Sequence, residues 1–335
     1  MTRPVRSVLP ARPSGLALLA SAALLLSGCT QSFAGSASAL PASLSIGTTA
    51  PEDLAVYGTS AYVSNSADGS VVRLDLSRGG AVSPFLPAAT DAYSSAWGLR
   101  VVPGKNWLLS VQNQPYDFNP AHARAGRVAA FDLSTGTRIN TWTLPDGMVG
   151  NSVDVDGAGN IYVGDIGPRP RIVKINPATG EVTTWATSPQ WVDGGFGLGG
   201  MVYAGSGLYV SHNNALWYVA FRADGSAAAP VAVKIAGDPV IFADGMTLAD
   251  GGLIYAENDV LVAGSHGTVY GVQFTGPTTA TRTTLQENLA DPSGVALASV
   301  GGTSYLLVDE SQLGFTFGVD KGQPSRPYQV KVFAR

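Results

Sequence analysis

From residue 39 onward, apolar positions come in short runs separated by glycine-rich turns. Six runs open on Leu54, Leu99, Val153, Met201, Met246 and Val295, at steps of 45, 54, 48, 45 and 49 residues, a mean of about 48. Each is followed by a tight turn and a second run that ends on a polar residue, as in Ala61-Tyr62-Val63, Ile161-Tyr162-Val163, Leu208-Tyr209-Val210 and Leu306-Leu307-Val308. A third run often follows, as in Val71–Leu76 and Ile172–Asn176. Alternation of β-branched and aromatic residues with polar ones, punctuated by Asp-Gly and Gly-Gly, predicts antiparallel strands. No segment carries a helical period of useful length. A unit of this size with about four strands is the signature of a propeller blade, so the expected fold is all-β, with six four-stranded blades. An open ring leaves strand edges unpaired. The last repeat runs out of chain at Arg335, and residues 39–47 are the expected donor of its missing strand.

The first 28 residues follow a different logic. Arg3, Arg6 and Arg12 precede an apolar Gly15–Leu26 stretch that is shorter than the roughly 20 residues needed to span a bilayer. It ends in Leu26-Ser27-Gly28-Cys29, which resembles a bacterial lipobox. That resemblance implies cleavage before Cys29 and lipidation of its thiol. The expected organisation is a signal peptide over 1–28, a lipidated Ser/Ala/Gly tether over 29–38, and a propeller over 39–335. The expected location is extracytoplasmic, on the cell envelope. Thr30, in place of Asp, fits the outer membrane in a host that has one.

Composition narrows the chemistry. Only 13% of residues are charged, and removal of the leader leaves 17 basic against 24 acidic residues, a net charge of −7 that disfavours nucleic acid. The single cysteine, Cys29, excludes an intrachain disulfide framework and multi-cysteine metal sites.

In a propeller the first strand of each blade lines the axis, so equivalent positions form a ring. Two residues before each leading apolar residue stand Glu52, Trp97, Asn151, Gly199, Asp244 and Ser293. Two carboxylates and an amide from separate blades suit a hard cation such as Ca²⁺, which takes oxygen ligands. A second ring is expected where the second strands end, at Asn65, Gln112, Asp165, His212, Ser265 and Asp309. Two long connections, 112–126 and 310–326, carry Tyr116, Phe118, Phe315 and Phe317 and should wall the pocket. Of the three histidines, His122 belongs to the first of these loops, while His212 and His266 fall near strand ends. Two motif matches are set aside. Gly195–Gly200 fits G-x-G-x-x-G but leads into a strand where a dinucleotide site needs a helix, and Asp154-Val155-Asp156-Gly157 lacks the glutamate of a calcium loop.

Pro51–Val56, Asp156–Val163 and Ala243-Asp244-Gly245-Met246 together resemble the senescence-marker-protein (regucalcin)/gluconolactonase family, over roughly residues 40–335. The resemblance implies a six-bladed propeller with a divalent metal in its central pocket, and in many members a lactonase. It places metal ligands at Glu52 and Asp244 and a substrate contact at Asn151. The fourth-blade metal-binding Asn of the family is Gly199 here, and the Arg two places before the third-blade Asn is Val149. Asp193 or a water is a candidate replacement ligand.

The resulting expectation is a metal-dependent hydrolase of a lactone or small ester. Its metal ligands are Glu52, Asp244 and Asn151, and its substrate contacts are Asn151, Trp97 and Tyr116. Asp244 is the first candidate for proton transfer, followed by Asp165 and His212. The competing expectation is a non-catalytic propeller that binds a small ligand or a protein partner.

Overall fold

A computed structural model describes residues 39–47, 50–191, 196–237, 239–258, 260–264, 266–322, 324 and 327–335. The leader, the tether with Cys29, Asp193 and Ser265 lie outside the described residues.

Six antiparallel sheets follow one another along the chain, and almost no helix interrupts them. Their innermost strands are Pro51–Tyr57, Ser95–Val102, Gly150–Val155, Leu198–Tyr203, Ala243–Ala249 and Val295–Val300. Blades one to four are consecutive four-stranded meanders. Blade five gains a short fifth strand, Lys234–Ala236, parallel to its outer strand. Blade six is completed by Ser43–Ser45, which pairs antiparallel with Gln329–Lys331. First and last segments of the ring thus share one sheet, as expected from the missing strand. Leu44 and Ile46 are buried among side chains of blades six and one.

The core lies between blades. Six apolar clusters each straddle one junction: blades one and two meet around Tyr62 and Leu108, blades three and four around Tyr162 and Met201, and the other junctions repeat the pattern. A second strand is therefore covered on both faces, which is why Ser60–Asn65, Ile161–Asp165, Gly207–His212 and Gly252–Glu257 are buried along their whole length. Outer strands meet water and read polar, as in Arg138–Thr143.

One irregularity recurs. In five inner strands the register to the second strand slips by one residue, between Pro51 and Leu54, Ala96 and Leu99, Gly150 and Val153, Leu198 and Met201, and Ala243 and Met246. These are β-bulges, which bend a strand and re-aim its side chains. The bulged residues include Glu52, Trp97, Asn151, Gly199 and Asp244, the ring picked out by the repeat. Blade six has an unbroken register and uses Asp309 instead, whose Oδ1 accepts from the backbone N–H of Ser293 (3.2 Å) and Gly294 (2.6 Å).

Candidate functional site

The bulges put side chains of the inner strands into the axial channel. Glu52, Asn151 and Asp244 line two cavities that meet at their level. On the side where the strands begin, a narrow cavity of about 60 Å³ is bounded by these residues with Trp97, Ser211 and Asn258, under Phe118, Phe196, Phe242 and Phe317. On the far side, a cavity of about 270 Å³ is lined by Asp53, Arg100, Ser152 and the apolar middles of the inner strands.

The acids at this level are buried and close enough to repel one another. Burial drives the Glu52 carboxyl well above its ordinary value, and the charges of Asp244, Asp53 and Asp309 push it further. One oxygen of Glu52, Oε2, has no hydrogen-bond partner, and neither has Oδ2 of Asp309. Asp244 is raised to about 7 by burial and then by Asp53, against hydrogen bonds from Asn258 and Asn151 that favour its ionised form. Asp53 is also raised to about 7 by burial, although it accepts from the N–H of Leu99 (2.8 Å) and Leu54 (2.7 Å). The Leu99 bond ties blade one to blade two. Asp154 makes a similar tie: it accepts from Arg100 Nε (2.7 Å) in blade two and Tyr203 N (2.7 Å) in blade four.

Three expected residues come together here, Glu52, Asn151 and Asp244, and Trp97 joins them with its Nε1 donating to Ser95 Oγ (2.5 Å). Asp165, His212 and Tyr116 do not line either axial cavity. Asp165 is raised to about 7 by burial, but its Oδ1 holds the N–H of Val149 and Gly167, and its Oδ2 faces Arg171 Nε at 3.2 Å. His212 sets Nδ1 against the Gly197 carbonyl (3.0 Å) and, with Tyr116, lines an adjoining groove. His122 is exposed and paired with Asp117. The second ring needs one correction. The register pairs Ala243 with Glu257, so Glu257 holds the place in blade five that the sequence pattern gave to Ser265.

Gly199 has a steric reason. A Cβ there would come within 2.6 Å of Ser211 Oγ and 2.7 Å of the Ala243 carbonyl, which that hydroxyl hydrogen-bonds. Ser211 occupies the space an asparagine side chain would need. Val149 is likewise absorbed into an apolar cluster with Trp97 and Ala123.

Sequence reasoning missed Asp53, Asn258, Ser211, Phe196 and Phe242. Asp53 and Phe242 are chain neighbours of Glu52 and of the Ala243-Asp244 pair, so local context held a signal. Asn258 directly follows the second strand of blade five and was hidden by the misplacement at Ser265. Nothing in the sequence marks Ser211.

Among the described residues, no group of three or more His, Cys, Asp or Glu side chains is placed to hold a metal ion. An ion here would rest on two carboxylates and the amides of Asn151 and Asn258. The unpartnered Glu52 oxygen, an all-oxygen donor set and mutual acid repulsion fit a hard cation in that role.

The class these features define is a six-bladed propeller with a buried acidic centre on its axis. No family model matches the sequence, and no curated protein matches it. Solved structures share the fold. The major allergen Mala s 1 of Malassezia sympodialis is 17% identical, with a TM-score of 0.68 over 88% of this chain and 97% of its own. The gluconolactonase XC5397 of Xanthomonas campestris is 13% identical, with a TM-score of 0.58 over 88% and 89%. The calcium-binding protein regucalcin of Agrobacterium tumefaciens is 13% identical, with a TM-score of 0.53 over 86% and 92%. At these identities the likeness is one of fold.

Proposed function

We propose that this protein is a divalent-cation-dependent hydrolase of a lactone or small ester, held outside the cytoplasm on the cell envelope by a lipid on Cys29. The observation that carries the proposal is the pair of buried carboxylates from blades one and five, Glu52 and Asp244, lining one axial cavity with a Glu52 oxygen left unpartnered. A gluconolactonase and a calcium-binding regucalcin among the structures of like fold support the same reading.

A cation held by Glu52, Asp244 and the neighbouring amides would supply Lewis acidity toward the substrate carbonyl. Asp244, lining the cavity beside Glu52 and Asn151, is placed to accept the proton of the attacking water and return it to the leaving alkoxide. Asn151 and Asn258 orient that carboxylate through their hydrogen bonds to it. The phenylalanines over the cavity limit the entry of bulk water.

Calcium, manganese or zinc added to protein stripped with EDTA should raise the melting temperature, since an ion at 100 times its Kd adds about 2.7 kcal/mol to the folded state. Asp244→Asn should abolish that rise, and Glu52→Gln and Asp244→Asn should each abolish lactone turnover. No rise with any ion, together with no turnover by the unmodified protein, removes the hydrolase. That result leaves the second reading, a binding propeller, which the filling of the Gly199 position by Ser211 favours. For the anchor, labelled palmitate should enter the full-length chain in bacteria and fail to enter Cys29→Ser. Equal labelling of both discards the lipid.

A further inference from the structure

The approach to the axial centre is walled largely by aromatic and aliphatic side chains, with Ser66, Asn213 and His212 among them. Phe118 is its hub: its ring lies 4.5 Å from Phe196, 4.9 Å from Phe317 and 6.2 Å from Trp97, centroid to centroid, and Phe196 lies 5.4 Å from Phe242. The four phenylalanines come from the second-blade loop, the fourth-blade entry, the sixth-blade loop and the fifth-blade entry, and Trp97 from the inner strand of blade two. They therefore meet over the axis only through the fold. Eight described residues other than glycine have positive φ, and six of them are Asn, Asp or Gln, types that tolerate it or come close. The other two are Phe118 (φ 59°) and Phe242 (φ 40°). Backbone strain at bulky residues persists where the surroundings enforce it, and it gathers at ligand sites.

Phe118, Phe196 and Phe242 also form the inner wall of a groove of about 430 Å³, which continues outward past Ile166, Trp191 and Leu261. Leu261 and Val262 are 55% and 54% exposed, among the most exposed large apolar residues of the described chain. The inner cavity of about 60 Å³ has room for on the order of four waters, enough for the reacting end of a ligand and not for a whole sugar. Val149, buried with Trp97 and Ala123, packs against Phe118 and supports the wall from behind.

We infer that the ligand is amphiphilic: a lactone or ester carbonyl at one end, seated at Glu52, Asn151 and Asp244, and an alkyl or aryl body lying along the Phe118–Phe196–Phe242 wall in the groove. Polyhydroxylated sugar lactones are disfavoured, because hydroxyls turned toward the phenylalanine faces would lose water without gaining a partner there, and the polar side chains His212 and Asn213 line only part of the groove. The inference rests on the axial centre being the reactive site proposed above, and it names the substrate class of that site.

The test compares γ-decalactone, γ-butyrolactone and glucono-δ-lactone, first as ligands by titration calorimetry in EDTA and then as substrates with Ca²⁺, Mn²⁺ and Zn²⁺. Each methylene taken from water is worth about fourfold in affinity, so γ-decalactone should bind about thirtyfold or more tightly than γ-butyrolactone, with glucono-δ-lactone weakest. Phe242→Ala should erase most of that advantage, weakening γ-decalactone far more than γ-butyrolactone. Leu261→Ser, on an exposed side chain that folding does not need, should weaken γ-decalactone several-fold. Equal affinity for the three lactones, or a preference for the sugar lactone, overturns the inference even if hydrolysis is found. Tight γ-decalactone binding without turnover under any ion upholds the ligand class and sinks the hydrolase.

Discussion

Between pH 5 and pH 8.5 the metal-free protein should become less stable as the pH rises, losing roughly 5–10 °C of melting temperature. Asp53 and Asp244 have carboxyls raised from 3.8 to about 7, and Glu52 and Asp309 are raised as well. A raised carboxyl means that the folded state holds a proton the unfolded state has already released. The stabilisation is complete below the unfolded value near 4 and is lost as the pH climbs through about 7. At 1.36 kcal/mol per unit, a rise from 3.8 to about 7 corresponds to about 4 kcal/mol for one such group taken alone. Carboxyls shifted downward, such as Asp91 and Asp132, act at the acid end and leave this window untouched. Thermal melts in EDTA across the series provide the measurement. Asp244→Asn should flatten the slope, and a bound divalent cation should flatten it too by neutralising the cluster. A melting temperature that is level or rises from pH 5 to 8.5 would show that the axial acids are not buried together.

Gly200→Ala should be more damaging than any surface substitution, costing at least about 3 kcal/mol or preventing folding altogether. Gly200 is the second bulge residue of blade four. A Cβ on it would stand 1.8 Å from the carbonyl oxygen of Asp244 in blade five, backbone that cannot rotate away. Gly98 meets the Asn151 carbonyl at 2.3 Å and Gly245 the Ser293 carbonyl at 2.4 Å in the same manner. At three junctions, then, the absence of a side chain sets how closely one blade's bulge approaches the next, and so where Asn151 and Asp244 stand. Gly104 is the control, since a Cβ there meets nothing within 4 Å and its φ is not left-handed. Urea unfolding of Gly200→Ala beside Gly104→Ala makes the comparison. Similar stabilities for the two would mean that the blades do not close on the axis at this spacing.

Much of this architecture was legible because a repeated unit writes the same instruction six times. The spacing of leading residues located the inner strands, and the offset of two residues before them selected Glu52, Asn151 and Asp244, although the bulge that makes the offset work leaves no mark of its own. Closure by residues 43–45 followed from counting strands in the last repeat. The second ring was less secure. It depends on where a second strand ends, and in blade five the polar residue stands at Glu257 and Asn258.

The sequence by itself determined the number of blades, the all-β class and the level on the axis where acids gather, since these follow from local periodicity and its repetition. Tertiary structure alone brought the charges of Asp53 and Asp309 to bear on Glu52 and made Asp154 a tie to Arg100 and Tyr203, because these contacts cross blade junctions that no local pattern encodes. It also decided that Phe118, Phe196, Phe242 and Phe317 converge. These side chains start from four separate connections, and the direction in which each loop crosses the mouth depends on what it packs against once the ring has closed.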